Sequence, residues 1–326
     1  MEVIEDIKQL TDSTTGCVLS IGNFDGVHLG HQEILQAGKE IAIQRNTDFL
    51  VMTFEPHPVA ILHPAKAPGV LTPLEIKKHL LSKHGVDKLL VIKDNAEILK
   101  LSPADFVRRF LVSLIKPSVV VEGEDFNFGF ERSGDVDTLR TLGRSSGFAV
   151  ELVPQQEVEI STGRSVRASS TIIRYMLQSS HVRDASIVLG HNYQLAGKII
   201  KGKGKGRHLG FPTLNMQRPS QIIPAEGVYC GFVRLADTEK GLLSQSKNLP
   251  AAFSIGQART YGDDHPLLIE AHVLDDFDDK GNNKWMMMEF VRFMRTQHKF
   301  NNESQLSGQI EKDCRQAKEI LKSEKE

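Results

Sequence analysis

At 326 residues, 40% hydrophobic and 25% charged, the chain has the composition of an ordinary globular protein and the length of about two domains. With a formal net charge of −1, no general polyanion-binding surface is implied. Cys17, Cys230 and Cys314 are too few and too far apart for a disulfide framework and suit a reducing cytoplasm; acidic Glu2, Glu5 and Asp6 argue against a signal peptide, and no apolar run approaches the roughly 20 residues that span a bilayer.

In chain order, Cys17 to Ile21 reads as a buried strand, followed by a turn rich in Gly, Asn and Asp. From Leu29 to Arg45 apolar residues fall at Ile34, Leu35, Ala37, Ile41 and Ala42, which is helical spacing. The stretch Ser20 to His31 is therefore strand, glycine turn and helix, with His28 and His31 at the helix mouth. Free backbone N–H groups and the helix dipole favour negative charge there, and two imidazoles three residues apart can donate to phosphate oxygens. Gly22, Gly26 and Gly30 let the backbone approach a ligand. A zinc pair lacks the Cys pair or HExxH helix that would complete it.

Asp48 to Phe54 reads as a second strand, ending in Glu55-Pro56-His57-Pro58, a rigid loop at a strand's C-terminal end. Thr72-Pro73-Leu74-Glu75 is a capping box opening a helix to about Lys83. Lys88 to Ile92 is a strand, Ser102-Pro103 starts a helix, Pro117 stops it, and Ser118 to Val121 is the next strand. The alternation predicts a parallel sheet covered on both faces. In Glu122 to Gly129 aromatic and polar residues alternate just past a strand end. A wall against a flat ring, with Asp125 or Asn127 at its polar edge, and ordinary core packing are both open for Phe126 and Phe128. In Val166 to Arg174, Ser169 or Ser170 caps a helix with Thr171 and Arg174 on its first turns, a donor set that suits phosphate.

Past Gly190 the pattern changes to short apolar runs, Tyr193–Ile200, Gly227–Leu235, Pro250–Ile255, Leu267–Leu274 and Trp285–Met294, with a closing helix over Glu303–Lys322. This predicts a small all-β barrel, with the domain boundary near 184/185. Gly197 to Gly204 almost fits a P-loop, but Gly204 stands where a hydroxyl belongs and no helix is expected to follow. The glycine- and lysine-rich loop Gly202, Lys203, Gly206 and the turn Gly210-Phe211-Pro212 still suit phosphates. Thr213 and Asn215 fall on one side of a strand, where their oxygens suit Mg²⁺. Glu270, an acid inside an apolar strand, stands out as paired or used. A solvated basic hairpin or a nucleic-acid contact are the other readings of the loop; without aromatic interleaving the latter is weak.

The run Gly22-Asn23-Phe24-Asp25-Gly26-Val27-His28-Leu29-Gly30-His31 resembles the HxGH signature of nucleotidylyltransferases in the form found in bacterial FAD synthetases. Pro56-His57-Pro58, the Asp125–Phe128 segment and Ser169-Ser170-Thr171 with Arg174 match the same family. The resemblance implies an α/β Rossmann-like domain, residues 1–184, that adenylylates FMN. It places ATP phosphates at Gly22, Asn23, Phe24, Asp25, Gly30, Ser169, Ser170 and Thr171, chemistry at His28, His31 and Arg174, and flavin at His57, Asp125, Phe126 and Phe128. Gly210 to Asn215 resembles the riboflavin kinase signature, with Leu214 in place of Ala. Residues 185–326 would then be a kinase barrel, with Glu270 as base on the riboflavin 5′-hydroxyl, Mg²⁺ at Thr213 and Asn215, and flavin at Arg295. Ser254–Thr260 and Asp278–Asn283 depart from the family pattern on the flavin side.

The leading expectation is a cytoplasmic bifunctional enzyme acting on riboflavin, FMN and ATP, with no nucleic-acid or membrane partner and with its oligomeric state open. The alternatives are an FMN adenylyltransferase whose barrel only binds flavin, and a nucleotide- or flavin-responsive RNA-binding protein.

Overall fold

The computed structural model describes residues 1–7, 10, 14–93, 97–202, 204–257, 267–275 and 284–324. The chain forms two compact units, Met1–Pro68 with Ile76–Glu157 and Gly69–Glu75 with Val158–Glu326.

In the first unit the apolar runs become a six-stranded sheet of β1 (Glu2–Ile4), β2 (Val18–Ile21), β3 (Phe49–Phe54), β4 (Lys88–Ile92), β5 (Val119–Gly123) and β6 (Ala149–Val153). The order is β1-β4-β3-β2-β5-β6 and every pairing is parallel. Helices α1 (Leu29–Arg45), α2 (Pro58–Leu62), α3 (Leu74–Lys83), α4 (Pro103–Phe106) and α5 (Val136–Ser146) belong to the crossovers. β2 to β5 are buried along nearly their whole length, which is why they read as continuous apolar runs rather than alternating ones. Leu19, Ile21, Leu50, Met52 and Leu90 on one face pack against Phe106, Val107 and Leu111; past α4 the helix widens into π-type turns over Val107–Ile115. Short or half-exposed β1 and β6, and α5, are additions to the sequence-based outline: three residues, or an edge strand, carry too little pattern.

The strand order reverses between β2 and β5, so their C-terminal ends border the crevice where open α/β sheets take ligands. Their pairing covers only Val18↔Val119 and Leu19↔Val120, and the strands then diverge. The Glu122 carboxylate spans the gap, Oε1 accepting from the Ile21 N–H at 2.6 Å.

In the second unit come the two-stranded β7 (Glu157–Glu159) and β8 (Ser165–Arg167), then α6 (Ser170–Gln178) and α7 (Val182–Leu189), which ends on Gly190 at φ 74°, the left-handed conformation that favours glycine. The barrel is closed, in the order β10-β13-β12-β11-β14-β9, from β9 (Tyr193–Ile200), β10 (Leu214–Met216), β11 (Gly227–Ala236), β12 (Leu249–Gly256), β13 (Leu268–Val273) and β14 (Trp285–Arg295). Its neighbours pair antiparallel, and closure leaves no free sheet edge. Tyr229 and Phe253 meet Phe290 edge-on inside it, at 5.3 and 5.1 Å between centroids. Short α8 (Lys205–His208), a single turn directly after Gly204 that the sequence pattern does not predict, and α9 (Glu239–Ser244) lie in its loops, and α10 (Glu303–Ser323) lays Ala317 and Leu321 against Cys230, Leu274 and Val291.

The strap Gly69–Glu75 joins this unit through Gln221 and its neighbours. Gln221 Nε2 donates to the carbonyls of Leu71 and Gln194, its Oε1 accepts from the Ala196 N–H, and the Ile222 N–H donates to Val70. The expected boundary at 184/185 falls inside α7, and the compact second unit begins at Val158 and includes α6 and α7.

Candidate active sites

The first unit's site is the turn between β2 and α1. His28 is the N-cap of α1, its Nδ1 accepting from the His31 N–H at 3.4 Å, so the neutral ring carries its proton on Nε2. The two imidazoles stack, centroids 3.6 Å apart. Phe24 is buried beneath them, its ring 5.1 Å from that of His31, and reaches that place through left-handed backbone at φ 47°. Of the five buried side-chain polar atoms without a partner among the described residues, three are on Ser20, Asn23 and His31. Unpaired polar groups concentrated at one turn are what a polar ligand would satisfy.

Burial holds the His31 imidazole well below its usual range, helped by repulsion from His28 and Lys77, so the ring is neutral at pH 7. Lys77 is buried on α3, and its own value is lowered by that burial against the opposing pull of Asp25 and Glu55. Sequence reading passed over Lys77, although it sits on the same helical stripe as Leu74 and Leu81, an unusual place for an unused charge. Glu122 was likewise missed; burial pushes its carboxyl well above the ordinary range.

His57 caps α2, Nδ1 accepting from the Val59 N–H, and its Nε2 lies 3.0 Å from the Asn23 carboxamide. The loop after Phe54 is thus tied to the glycine turn. Past β5, Asp125 and Asn127 are exposed and Phe126 is half-buried. Phe128 is buried in the core, tilted against Phe106, with Phe126 stacked on it at 5.7 Å. Of the two readings left open here, core packing holds for Phe128, while Phe126 faces outward more.

The Ser-Ser-Thr/Arg motif lies on α6 of the second unit. Ser169 is the N-cap, its hydroxyl accepting from the Ile172 N–H, while Ser170 and Thr171 begin the first turn. Arg174 is held by its Nε, which donates to the Gly69 carbonyl at 2.7 Å.

The second unit's own site lies where β10 meets β13. Asn215 pairs with Glu270 in the ladder, and the Thr213 hydroxyl is 3.3 Å from Glu270 Oε1. Burial raises the Glu270 carboxyl, while hydrogen bonds from Thr213 and Asn215 hold part of that shift back. A carboxylate moved toward neutrality and still hydrogen-bonded suits a general base. A hydroxyl, a carboxamide and a carboxylate oxygen side by side suit a hard cation such as Mg²⁺. No group of three or more His, Cys, Asp or Glu placed to hold a metal ion stands among the described residues. A Cβ on Gly206 would collide with the Phe211 carbonyl, so that glycine is required by close approach, and one on Gly202 would displace the Asn215 carboxamide. Gly210 turns at φ 86° into Phe211-Pro212. Lys203, Ala258 to Thr260 and Asp278 to Asn283 lie outside the described residues.

Arg295, expected at flavin, has its fork filled from α10. Nε and Nη2 donate to the two oxygens of Asp313 at 2.9 and 2.7 Å, and Nη1 donates to the Thr296 carbonyl.

A family model described as FAD synthetase matches residues 10–171, and one described as riboflavin kinase matches residues 189–321. A bifunctional riboflavin kinase/FMN adenylyltransferase of Escherichia coli K12 is 33% identical over 98% of both chains, and one of Listeria monocytogenes is 35% identical over 91% of this chain and 90% of its own. A solved structure titled macrolide-efflux protein from Streptococcus pneumoniae superposes with a TM-score of 0.79 at 25% identity, covering 95% of this chain and 96% of its own. No helix among the described residues is long and apolar enough to cross a membrane.

Proposed function

The chain belongs to the family of bifunctional riboflavin kinase/FMN adenylyltransferases, and from that premise we propose how its residues divide the two reactions. The enzyme is a transferase: riboflavin and ATP give FMN and ADP, and FMN and ATP give FAD and pyrophosphate. In the second reaction an FMN phosphate oxygen bonds to the α-phosphorus of ATP as the bond to pyrophosphate breaks. The work is alignment of two anions and neutralisation of developing charge. His28, through Nε2–H, and neutral His31 donate to phosphate oxygens. Gly22 and Gly30 admit the phosphates close to the backbone, and the Asn23 carboxamide donates to them through its N–H. Phe24 and Asp25 act from behind, one under the His31 ring and one against Lys77. Ser169 sets α6, and Ser170, Thr171 and Arg174 hold phosphate. His57, Asp125 and Phe126, backed by Phe128, form the flavin side.

In the kinase reaction Glu270 takes the proton of the riboflavin 5′-hydroxyl, whose oxygen bonds to the γ-phosphorus as ADP departs. Gly202, Gly206, Gly210 and Pro212 shape the loop around the phosphates, and Lys203 is assigned to phosphate binding by the family resemblance. Thr213 and Asn215 would hold Mg²⁺, which when bound neutralises phosphate charge. Arg295 enters as the anchor of α10. We place the functional boundary at 184/185 and the enzyme in the cytoplasm, which suits its free cysteines.

The observation that carries the active-kinase reading over a barrel that only binds flavin is the meeting of Thr213, Asn215 and Glu270 at one point of the ladder. Incubation with riboflavin, ATP and Mg²⁺, followed by separation of the flavins, tests it. Glu270→Gln should stop FMN formation, by about 10²-fold or more, while supplied FMN still becomes FAD. His31→Ala should do the reverse, with FMN accumulating. If Glu270→Gln still phosphorylates riboflavin at the wild-type rate, the assigned base is wrong.

A further inference from the structure

We propose that His272 is a positioning residue for the kinase reaction: it clamps the Gly210–Thr213 turn onto β13 and so sets the Thr213 hydroxyl against Glu270. The inference rests on the reading of Glu270 as the kinase base. β13 presents Glu270 and His272 two residues apart, on the same side of the strand. Each grips one of two successive residues of the turn. His272 Nδ1 lies 2.8 Å from the Pro212 carbonyl oxygen, and Glu270 Oε1 lies 3.3 Å from Thr213 Oγ1. A carbonyl only accepts, so the ring proton is on Nδ1. The Phe211 ring meets the imidazole edge-on, 5.6 Å between centroids, which fixes the ring plane.

Upstream, the turn is held by itself: the Phe211 N–H donates to the Gly206 carbonyl and the Gly210 N–H to that of Arg207. Proline at 212 supplies no N–H, so its carbonyl is its one backbone hydrogen-bonding group. Without His272, among the described residues, the bonds that join the turn to the barrel are those of the Thr213 and Asn215 side chains and the β10 ladder. Those are the groups whose geometry the reaction needs fixed, and small misplacements of reacting groups cost turnover steeply.

Two variants separate this role from a structural one. His272→Asn keeps an N–H donor close to the position of Nδ1, whereas His272→Leu keeps bulk and loses the donor. Titration with riboflavin, followed by quenching of flavin fluorescence, counts folded barrels, so turnover is expressed per bound flavin. His272→Leu should bind one riboflavin per chain and lower kinase turnover per bound flavin by about tenfold or more. His272→Asn should recover turnover to within about threefold, and FMN adenylylation should be unchanged in both. Wild-type turnover in His272→Leu, equal losses in both variants, or loss of riboflavin stoichiometry would overturn the clamp. Glu270→Gln is run alongside: if it retains phosphorylation, the reading of the base fails, and if it is inactive while His272→Leu is normal, only the clamp fails.

Discussion

Glu122 shows how a single side chain can hold a site open. Where β2 and β5 stop pairing, its carboxylate takes the Ile21 N–H in place of a ladder bond, directly before Gly22 and Asn23. Burial raises its value above the usual 4.5, with Asp125 adding repulsion. For a raised folded value, the stabilising contribution is complete below 4.5 and is lost as pH rises through the folded value. Glu122→Gln should therefore stabilise the first unit more at pH 8 than at pH 5, read by urea unfolding with circular dichroism; equal changes at the two pH values would count against a buried, titrating Glu122. His31 works in the opposite sense: its depressed value leaves stability complete above 6.5 and lost as pH falls toward the folded value. The charges at this turn were unequally legible. His28 and His31 sit in a recognisable motif, whereas Glu122 looked like a strand end, because only the splay of two strands distant in sequence gives it a partner.

At the scale of elements, α10 depends on more than its apolar stripe. Arg295, at the end of β14, makes a two-pronged pair with Asp313, whose side chain is 7% exposed against 18% for the arginine. Gln309 also donates to Asp313. Removing one member of such a pair leaves the other charge in a poor environment. Asp313→Ala should lower barrel stability by about 3 kcal/mol in chemical unfolding followed by Trp285, the chain's single tryptophan, on the same strand. An unchanged midpoint would mean the pair is solvated and idle. The run to Phe300 carries no acid at the family's usual place, and nothing in that run indicated that Arg295 would find one eighteen residues later. Helices α1 and α3 were read to the residue or nearly so, because caps and periodicity are local signals.

On the scale of the whole molecule, the second unit takes in a piece of the first half of the chain. Gln221, 4% exposed, donates to Leu71, and Ile222 bonds to Val70. Gln221→Leu in the full chain keeps bulk and leaves the Leu71 and Gln194 carbonyls and the Ala196 N–H short of a partner. It should be about 1–3 kcal/mol less stable by Trp285 fluorescence than the unsubstituted chain, with faster hydrogen exchange at the Ile222 amide. Equal stability and equal protection would show that water replaces the lost bonds without cost.

By itself the sequence determined two kinds of folding unit and the family, because apolar period, caps and the two glycine-bearing motifs are written in neighbouring residues. It also marked His28, His31, Thr213, Asn215 and Glu270. Tertiary structure decided which residues those groups meet: Phe24 under His31, Glu122 at the β2–β5 split, His272 on Pro212, Asp313 on Arg295 and Gln221 on Leu71. Those partners lie on other turns and strands, and strand order and register, which chain-local patterns do not encode, bring them within hydrogen-bonding range.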